Sequence, residues 1–384
     1  MRALTISILL LLSSSAFALL PYKNTGNLYV SMWSSDEIAV YNTAGQELER
    51  FSTPGLDGPR GVAFDPTNGN IWVAGEFSNA IYIFDSTHTL IKTIEHPDFN
   101  EPVSITFSGY TPDSNTELEV LISNSNNQSI MVFSHAGQFK REFTDTLFND
   151  PNCSALMADG SLYVANRLGG SSGRGALDKF GGGETLLFSS YEEGMTSLMA
   201  VARDPNGEGD DDDTVWLTSG SGDRAIYEYD QNGNLLKTIT SADINGGETI
   251  TPQGIAFDDN GDFYVVSYAS AIYKFNGNGD YLTQFPVGAG TARSIALQAC
   301  QGDKNTTGCT PLGVASTSSS AASSMASTNA SSSTGSSSQP SATAANGGSS
   351  GGAINFMTLL MGILCLGGYR CFGQYLHPTL RRGA

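Results

Sequence analysis

The chain has 384 residues, with 38 Asp and Glu against 19 Lys and Arg, a formal net charge of −19 and a pI near 4.4. Such an acidic excess argues against the basic surface that phosphate binding requires, so we expect no nucleic-acid partner. Five cysteines are also too few for a fold held together mainly by disulfides.

Residues 1–18 have the form of a secretory signal peptide. Arg2 precedes the apolar run Ile6–Leu12, and Ala16-Phe17-Ala18 supplies small residues at a cleavage site. The run is too short to span a bilayer, which takes about 20 residues. We predict export and cleavage after Ala18, with a buried N-terminal helix or an uncleaved anchor as alternatives.

A short unit recurs six times through the middle of the chain. Its clearest copies are Gly61–Asp65 and Gly254–Asp258, and weaker copies begin at Ser104, Ser154, Ala200 and Ser294. The first five copies are followed by further aromatic and β-branched runs separated by Gly, Asn and Asp turns, which is typical of antiparallel strands. Four strands in a repeat of this length form one blade of a β-propeller.

The blade count follows from the two ends of the repeat. The sixth unit, Ser294–Leu297, has no blade after it, whereas the strands Leu28–Val30, Ile38–Tyr41 and Glu47–Phe51 have no first strand before them. We therefore predict an all-β, six-bladed propeller of four-stranded blades over residues 24–298, closed by pairing these strands with 294–297. Closure leaves few strand edges exposed.

The cysteines near the end of the repeat predict one disulfide. Cys300 and Cys309 follow the last strand, so we expect them to pair within a loop over residues 299–314. Cys153 has no evident partner and is interpreted as a small buried hydrophobic residue.

The repeat resembles the NHL repeat, whose pattern runs Pro-x-Gly-Ile-Ala-Phe-Asp, then Gly-x-Leu-Tyr-Val, then Ile-x-Val-Phe. Pro59–Asp65 and Pro252–Asp258 match it best, and the resemblance covers about residues 24 to 298. It implies the propeller fold. It does not select a function, because such propellers serve as binding modules, lyases and lactonases.

Two enzyme families with related propellers bind metal ions, and this sequence has only some of the ligands that a resemblance to them would imply. The peptidyl-amidating lyases hold zinc with several histidines, but His88 and His135 fall in bottom turns and His96 in a top loop. The gluconolactonase-like family implies ligands where this sequence has Gln253 and the pair Ser267-Tyr268.

A metal-dependent, lactonase-like hydrolase nevertheless remains the alternative function. Glu76, Asn124 and Asn166 are predicted in top loops, and their oxygens could hold a hard cation if they converge within about 2.6 Å of one point. No catalytic nucleophile or paired catalytic carboxylate is predicted.

The top of the central funnel is the predicted ligand site. The residues that precede the six units should border it: Arg60, Val103, Cys153, Met199, Gln253 and Arg293. Two arginines converging there could clamp a carboxylate or another anion. Alternatively, they form ion pairs with Asp57, Glu76 or Glu101. The full candidate set is Arg60, Arg293, Arg167, Gln253, Glu76, Trp33 and Tyr268.

The most acidic stretch of the chain predicts a possible structural calcium site. Its oxygen-bearing residues follow the spacing of an EF-hand loop, with Gly209 at the sixth position: Asp204, Asn206, Glu208, Asp210 and Asp212. Val215 stands where the closing Glu belongs. A solvated acidic hairpin is therefore the competing interpretation, and no other cofactor is predicted.

The C-terminal region is predicted to tether the propeller. Residues 315–350 are a Ser-, Ala- and Gly-rich linker, and an apolar helix at 353–369 precedes a basic tail at 370–384. The glycine pair Gly351-Gly352, the short apolar helix and Arg370 resemble the GlyGly-CTERM sorting signal, which implies cleavage near the glycines and display or release outside the cell. A retained single-pass anchor with a cytoplasmic tail is the alternative.

Together these features predict an exported, monomeric propeller in the periplasm or at the cell surface, anchored to the membrane or released after C-terminal processing. Its top face would bind an unknown protein, peptide or glycan partner, and the C-terminal helix would contact the membrane.

Overall fold

The computed structural model describes residues 22–108, 118–157, 159–170, 173–204, 214–268, 271–301, 309 and 311–312. The predicted signal peptide, linker, sorting glycines, apolar helix and basic tail lie outside these residues. So do four of the five predicted calcium ligands. Among the described residues, no helix is long and apolar enough to cross a membrane.

Within the described ranges, 24 strands form six antiparallel sheets of four strands each, as predicted. Short runs of Val, Ile and aromatic residues form the strands, and positive-φ residues, many of them Gly, occupy the turns between them. The strands are β1 (Tyr22–Met32), β2 (Glu37–Tyr41), β3 (Glu47–Phe51), β4 (Pro59–Phe64), β5 (Ile71–Gly75), β6 (Ala80–Phe84), β7 (Leu90–Glu95), β8 (Pro102–Phe107), β9 (Glu119–Asn124), β10 (Ser129–Ser134), β11 (Phe139–Thr144), β12 (Pro151–Leu156), β13 (Leu162–Asn166), β14 (Ala176–Gly181), β15 (Thr185–Ser190), β16 (Met195–Arg203), β17 (Val215–Gly222), β18 (Ile226–Tyr229), β19 (Leu235–Ile239), β20 (Pro252–Phe257), β21 (Phe263–Ser267), β22 (Ala271–Phe275), β23 (Tyr281–Pro286) and β24 (Ala292–Gln301).

The first blade contains both ends of the propeller, with sheet order β24-β1-β2-β3. Leu28 lies opposite Leu297 and Val30 opposite Ile295, which confirms the predicted closure. The pairing is longer than predicted, because a second stretch joins Tyr22–Asn24 to Ala299–Gln301. Blades two to six begin at β4, β8, β12, β16 and β20.

Each interface between neighbouring blades holds its own apolar cluster, which gives six clusters around the ring. Burial of these apolar side chains is the main force that holds the blades together. At two positions where the innermost strands approach one another, only glycine fits. A Cβ at Gly61 would lie 2.8 Å from the Cα of Ser104, and one at Gly254 would lie 2.7 Å from the Cα of Ser294. This contact explains the glycine that begins the clearest repeats.

Cys300 and Cys309 form the predicted disulfide at the bottom end of β24. It holds the following residues against the propeller: the Leu312 N–H donates to the Ala299 carbonyl at 3.1 Å. Leu312 is buried beside the β4–β5 turn, so close that a Cβ at Gly69 would lie 2.5 Å from its carbonyl oxygen. The chain therefore leaves the propeller on its bottom face.

The disulfide should stabilise this closure. Changing Cys300→Ser together with Cys309→Ser should lower the free energy of unfolding by about 2–3 kcal/mol, the range for a short cross-linked loop. Chemical denaturation measures the change. Wild-type protein under reducing conditions is the control and should match the double variant; an unchanged midpoint in both would contradict the prediction.

Candidate functional site

The mouth of the central channel is lined by one residue from the innermost strand of each blade. These equivalent residues are Arg60, Val103, Asn152, Met199, Gln253 and Arg293. The space that several of them enclose is about 30 Å³, which is room for about two water molecules. A ligand that enters from the top face must therefore bind above this constriction.

The sequence prediction placed Cys153 in this ring, and that was wrong. Pro151 pairs with Asn166 as Pro59 pairs with Gly75, so Asn152 is the equivalent of Arg60. Cys153 is a partly exposed free thiol one step lower in the channel. The missed signal was the proline that begins the strand, because the residue after Pro151 is the equivalent of the residue after Pro59.

Arg60 is held in a buried ion pair. Its Nη1 lies 2.5 Å from Glu76 Oε1, and both side chains are about nine-tenths buried. Its Nη2 donates to Asn152 Oδ1 at 3.0 Å, across the funnel from the second blade to the fourth. The indole N–H of Trp33 donates to the other Glu76 oxygen. Arg60 is thus a structural group on the funnel floor, and its two partners satisfy its charge.

Arg167 also forms an ion pair, at the rim of the funnel. Its Nη1 lies 2.6 Å from Asp150 Oδ2, and its Nε donates to Ser197 Oγ at 3.0 Å. Ser125 donates to the second Asp150 oxygen. These contacts join the loops of the third, fourth and fifth blades.

Arg293 has a different environment. Its guanidinium lies between two aromatic rings, 4.9 Å from the centre of Trp33 and 4.7 Å from that of Tyr268. Its Nη1 donates to Gln253 Oε1 at 3.0 Å, whereas its buried Nε has no hydrogen-bond partner. Among the described residues, no carboxylate lies within ion-pair distance of it.

The electrostatic surroundings of Arg293 are unfavourable to its charge. Burial, and then repulsion from Arg60, lower the pKa of Arg293 to about 10, against the opposing effects of Tyr268 and Glu76. The group still carries its proton at neutral pH. The top of the funnel therefore holds a cation whose charge is only weakly compensated by the protein.

The candidate metal ligands already form hydrogen bonds and ion pairs within the protein. Asn124 Oδ1 accepts from the N–H of Asn100 at 2.7 Å, and Asn166 Oδ1 accepts from the N–H of Asn149 at 3.0 Å. The Ser267 hydroxyl does the same for the N–H of Thr251 at 2.9 Å. The last residue of the second strand thus anchors the preceding inter-blade loop in three blades, and Glu76 is committed to Arg60 and Trp33.

The three histidines contact separate parts of the propeller. His88 stacks on Phe51 at 4.2 Å, His135 lies 3.3 Å from Asp65, and His96 packs on Phe139 at 4.5 Å. Within the part of the chain that the structure describes, no group of three or more His, Cys, Asp and Glu residues could hold a metal ion. Of the predicted calcium ligands, only Asp204 belongs to that part.

Asp178 is a buried carboxylate behind the rim. It accepts from Asn166 Nδ2 at 2.8 Å and is fully buried in β14. Burial raises the pKa of Asp178 above its ordinary value, and hydrogen bonds from Ser189 and Asn166 only partly oppose this. Its ionised form therefore opposes folding.

Comparison with known proteins shows the fold but no family. No family model matches the chain, and no curated protein matches its sequence. A structure of a nidogen/laminin complex matches with a TM-score of 0.55 at 12% identity, covering 70% of this chain and 97% of that one. A protein of unknown function from Bacteroides caccae matches with a TM-score of 0.53 at 14% identity, covering 70% and 97%.

An enzyme has a similar propeller. The virginiamycin B lyase of Staphylococcus aureus matches with a TM-score of 0.50 at 14% identity, covering 70% of this chain and 85% of that one. At these identities the likeness concerns the fold alone. A function must therefore be argued from the residues of this chain.

We expect a large loss of stability when only one partner of the Arg60–Glu76 ion pair is replaced. Arg60→Leu should lower the free energy of unfolding by about 3–5 kcal/mol, because Glu76 is left as a buried, uncompensated charge. Adding Glu76→Leu should recover most of that loss, because the uncompensated charge is then removed. The indole N–H of the half-buried Trp33, which loses its bond to Glu76, can donate to water instead. Denaturant unfolding of both variants tests this; equal stability of the single and double variants would contradict it.

The raised pKa of Asp178 predicts that replacing this residue increases the stability of the protein, by an amount that depends on pH. When folding raises the pKa of a carboxyl group, the group stabilises the fold at pH values below the ordinary pKa of Asp. This stabilisation is lost as the pH rises through the raised pKa. Asp178→Asn should therefore raise Tm by a few degrees at pH 7 and by less at pH 4. Thermal unfolding at the two pH values measures it; an equal gain at both would exclude ionisation of Asp178 as the cause.

Proposed function

We propose that this chain is a non-enzymatic binding propeller whose top face recognises a carboxylate on a partner protein, peptide or glycan. The observation that carries the proposal is Arg293, whose guanidinium is held between Trp33 and Tyr268 without a carboxylate partner among the described residues. The other two arginines of the funnel have such partners.

A carboxylate suits the geometry of Arg293. The two aromatic rings lie over the guanidinium, and a carboxylate binds best at the edge of a guanidinium, where the N–H groups are. A bound anion would also compensate a charge whose pKa is lowered by burial and by Arg60. Because the whole chain carries −19, a ligand with one or few negative charges is favoured over a polyanion.

Exposed aromatic side chains extend the site beyond the charged group. Tyr268 is 41% exposed and Phe77 is 50% exposed, and Phe77 packs on Trp33 with 5.3 Å between ring centres. Tyr, Trp and Phe are enriched where proteins bind other molecules, because they offer large rigid contact areas. A peptide side chain or a sugar ring next to the carboxylate could pack against these rings.

The alternative, a metal-dependent lactonase, has less support. Its candidate ligands Asn124 and Asn166 use their amide oxygens to hold inter-blade loops, and Glu76 pairs with Arg60. A cation at these groups would have to replace contacts on which the rim depends.

The proposal includes the setting of the protein. The signal peptide at 1–18 and the sorting-signal resemblance around Gly351-Gly352 support export and display at the cell surface. The NHL-like repeats support a propeller of that class. In this setting a face that binds glycans or peptides would meet its partners outside the cell.

Arg293→Gln should abolish carboxylate recognition without lowering stability. Glutamine keeps a polar group near Gln253 but removes the positive charge, and the loss of a poorly compensated buried cation should leave Tm unchanged or slightly raised. Peptide and glycan arrays, each with free and amidated carboxyl groups, identify the binding class, and calorimetry on the strongest ligand compares the variants.

Arg167→Gln is the matched control, since it removes one positive charge from the same face. It should retain most of the binding, because Arg167 is paired with Asp150. The proposal is refuted if amidation of the carboxyl group leaves binding unchanged, or if Arg293→Gln binds as tightly as the wild type.

A further inference from the structure

A second cavity lies at the bottom of the interface between the third and fourth blades, away from the top funnel. Its volume is about 220 Å³, and its walls are largely apolar. Residues of both blades line it: Leu121, Ile130, Val132 and Phe143 from the third, and Leu156, Leu162 and Phe180 from the fourth. Protein interiors are close-packed, so a space of this size requires a cause.

The first cause is a missing aromatic ring. At one position of the second strand, five blades carry a buried aromatic side chain that belongs to the cluster shared with the next blade: Tyr29, Trp72, Tyr163, Trp216 and Tyr264. Pairing with the innermost strand establishes the equivalence, because Trp72 lies opposite Ala63 and Tyr163 opposite Ala155. In the third blade this position is Leu121, opposite Thr106.

The second cause is a turn with two consecutive glycines. The turn between the third and fourth strands reaches the preceding blade with a histidine in two blades: His88 stacks on Phe51, and His135 contacts Asp65. In the fourth blade the turn contains Gly182 and Gly183, where an added Cβ would meet nothing within 4 Å. The missing ring and the two glycines fall at one interface and border the same space.

Three charged residues also line the cavity, and they pair with one another. Arg141 donates to both oxygens of Glu119 at 2.8 and 2.9 Å, and to Glu184 of the neighbouring blade at 3.0 Å. Because these charges satisfy one another, a guest needs no charge of its own.

We propose that this cavity is a binding site for a small, neutral aromatic molecule of about the size of indole. The argument rests on the absent ring at Leu121, the open space beside Gly182 and the apolar walls. Apolar cavities lined by Leu, Ile and Phe stay dry and take up such guests, because apolar surface is then in contact with the guest. The site is independent of the carboxylate site on the top face.

The test uses indole as the probe with the full-length protein. Millimolar indole should raise Tm by a few degrees, since a ligand that binds only the folded state stabilises it. Leu121→Trp, which restores the residue type of the other blades, should abolish this shift and raise Tm in the absence of indole. Leu121→Met is the matched control and should retain the shift, because it keeps the volume of the side chain.

A measurement on the wild type keeps the proposal testable if Leu121→Trp fails to fold. Crystals under xenon pressure should show xenon between β9, β13 and β14. The proposal is overturned if xenon and indole both fail to bind, or if Leu121→Trp binds indole like the wild type.

Discussion

The pairing of β24 with β1 is the constraint on which the rest of the molecule depends. Every blade packs its apolar face against two neighbours, so a ring with one open seam would expose two such faces at once. The seam is closed by strands from opposite ends of the repeat, which pair along two stretches. Ser31 adds a bond across it: its hydroxyl donates to the Arg60 carbonyl at 2.7 Å and accepts from the N–H of Ser294 at 2.9 Å. The proposed binding face forms only when this seam is closed, because Arg293 lies near the start of β24 and Trp33 directly follows β1.

The fold could be predicted because its determinants are local and repeated. The period-two runs and the turn residues recur in each blade, and a glycine forced by contact between innermost strands marks the two clearest units, so even weak copies such as Ser294–Leu297 could be placed. The exact alignment of residues within each innermost strand was harder to predict. A one-residue error put Cys153 in the position of Asn152, because the short unit at Ser154 has no glycine to mark its start.

The state of the funnel arginines could not be predicted from sequence. Several carboxylates were within reach of Arg60, and the choice of Glu76 depends on where two loops meet. Arg293 is isolated for a similar reason: Trp33, Tyr268 and Gln253 come from distant parts of the chain and approach it only after closure. The use of Asn124 and Asn166 as loop anchors was also hidden, since an amide that holds a backbone N–H and one that could hold a cation look alike in a sequence.

The bottom exit of the chain has a mechanical consequence. A pull on the residues beyond Leu312 enters the propeller through Cys309 and its bond to Cys300, so the load bypasses residues 301–308 and acts on the end of β24. β24 pairs antiparallel with β1, so a pull along β24 would load its hydrogen bonds together, in shear, instead of opening them one after another. The seam that closes the ring is thus also the part of the molecule that would bear tension.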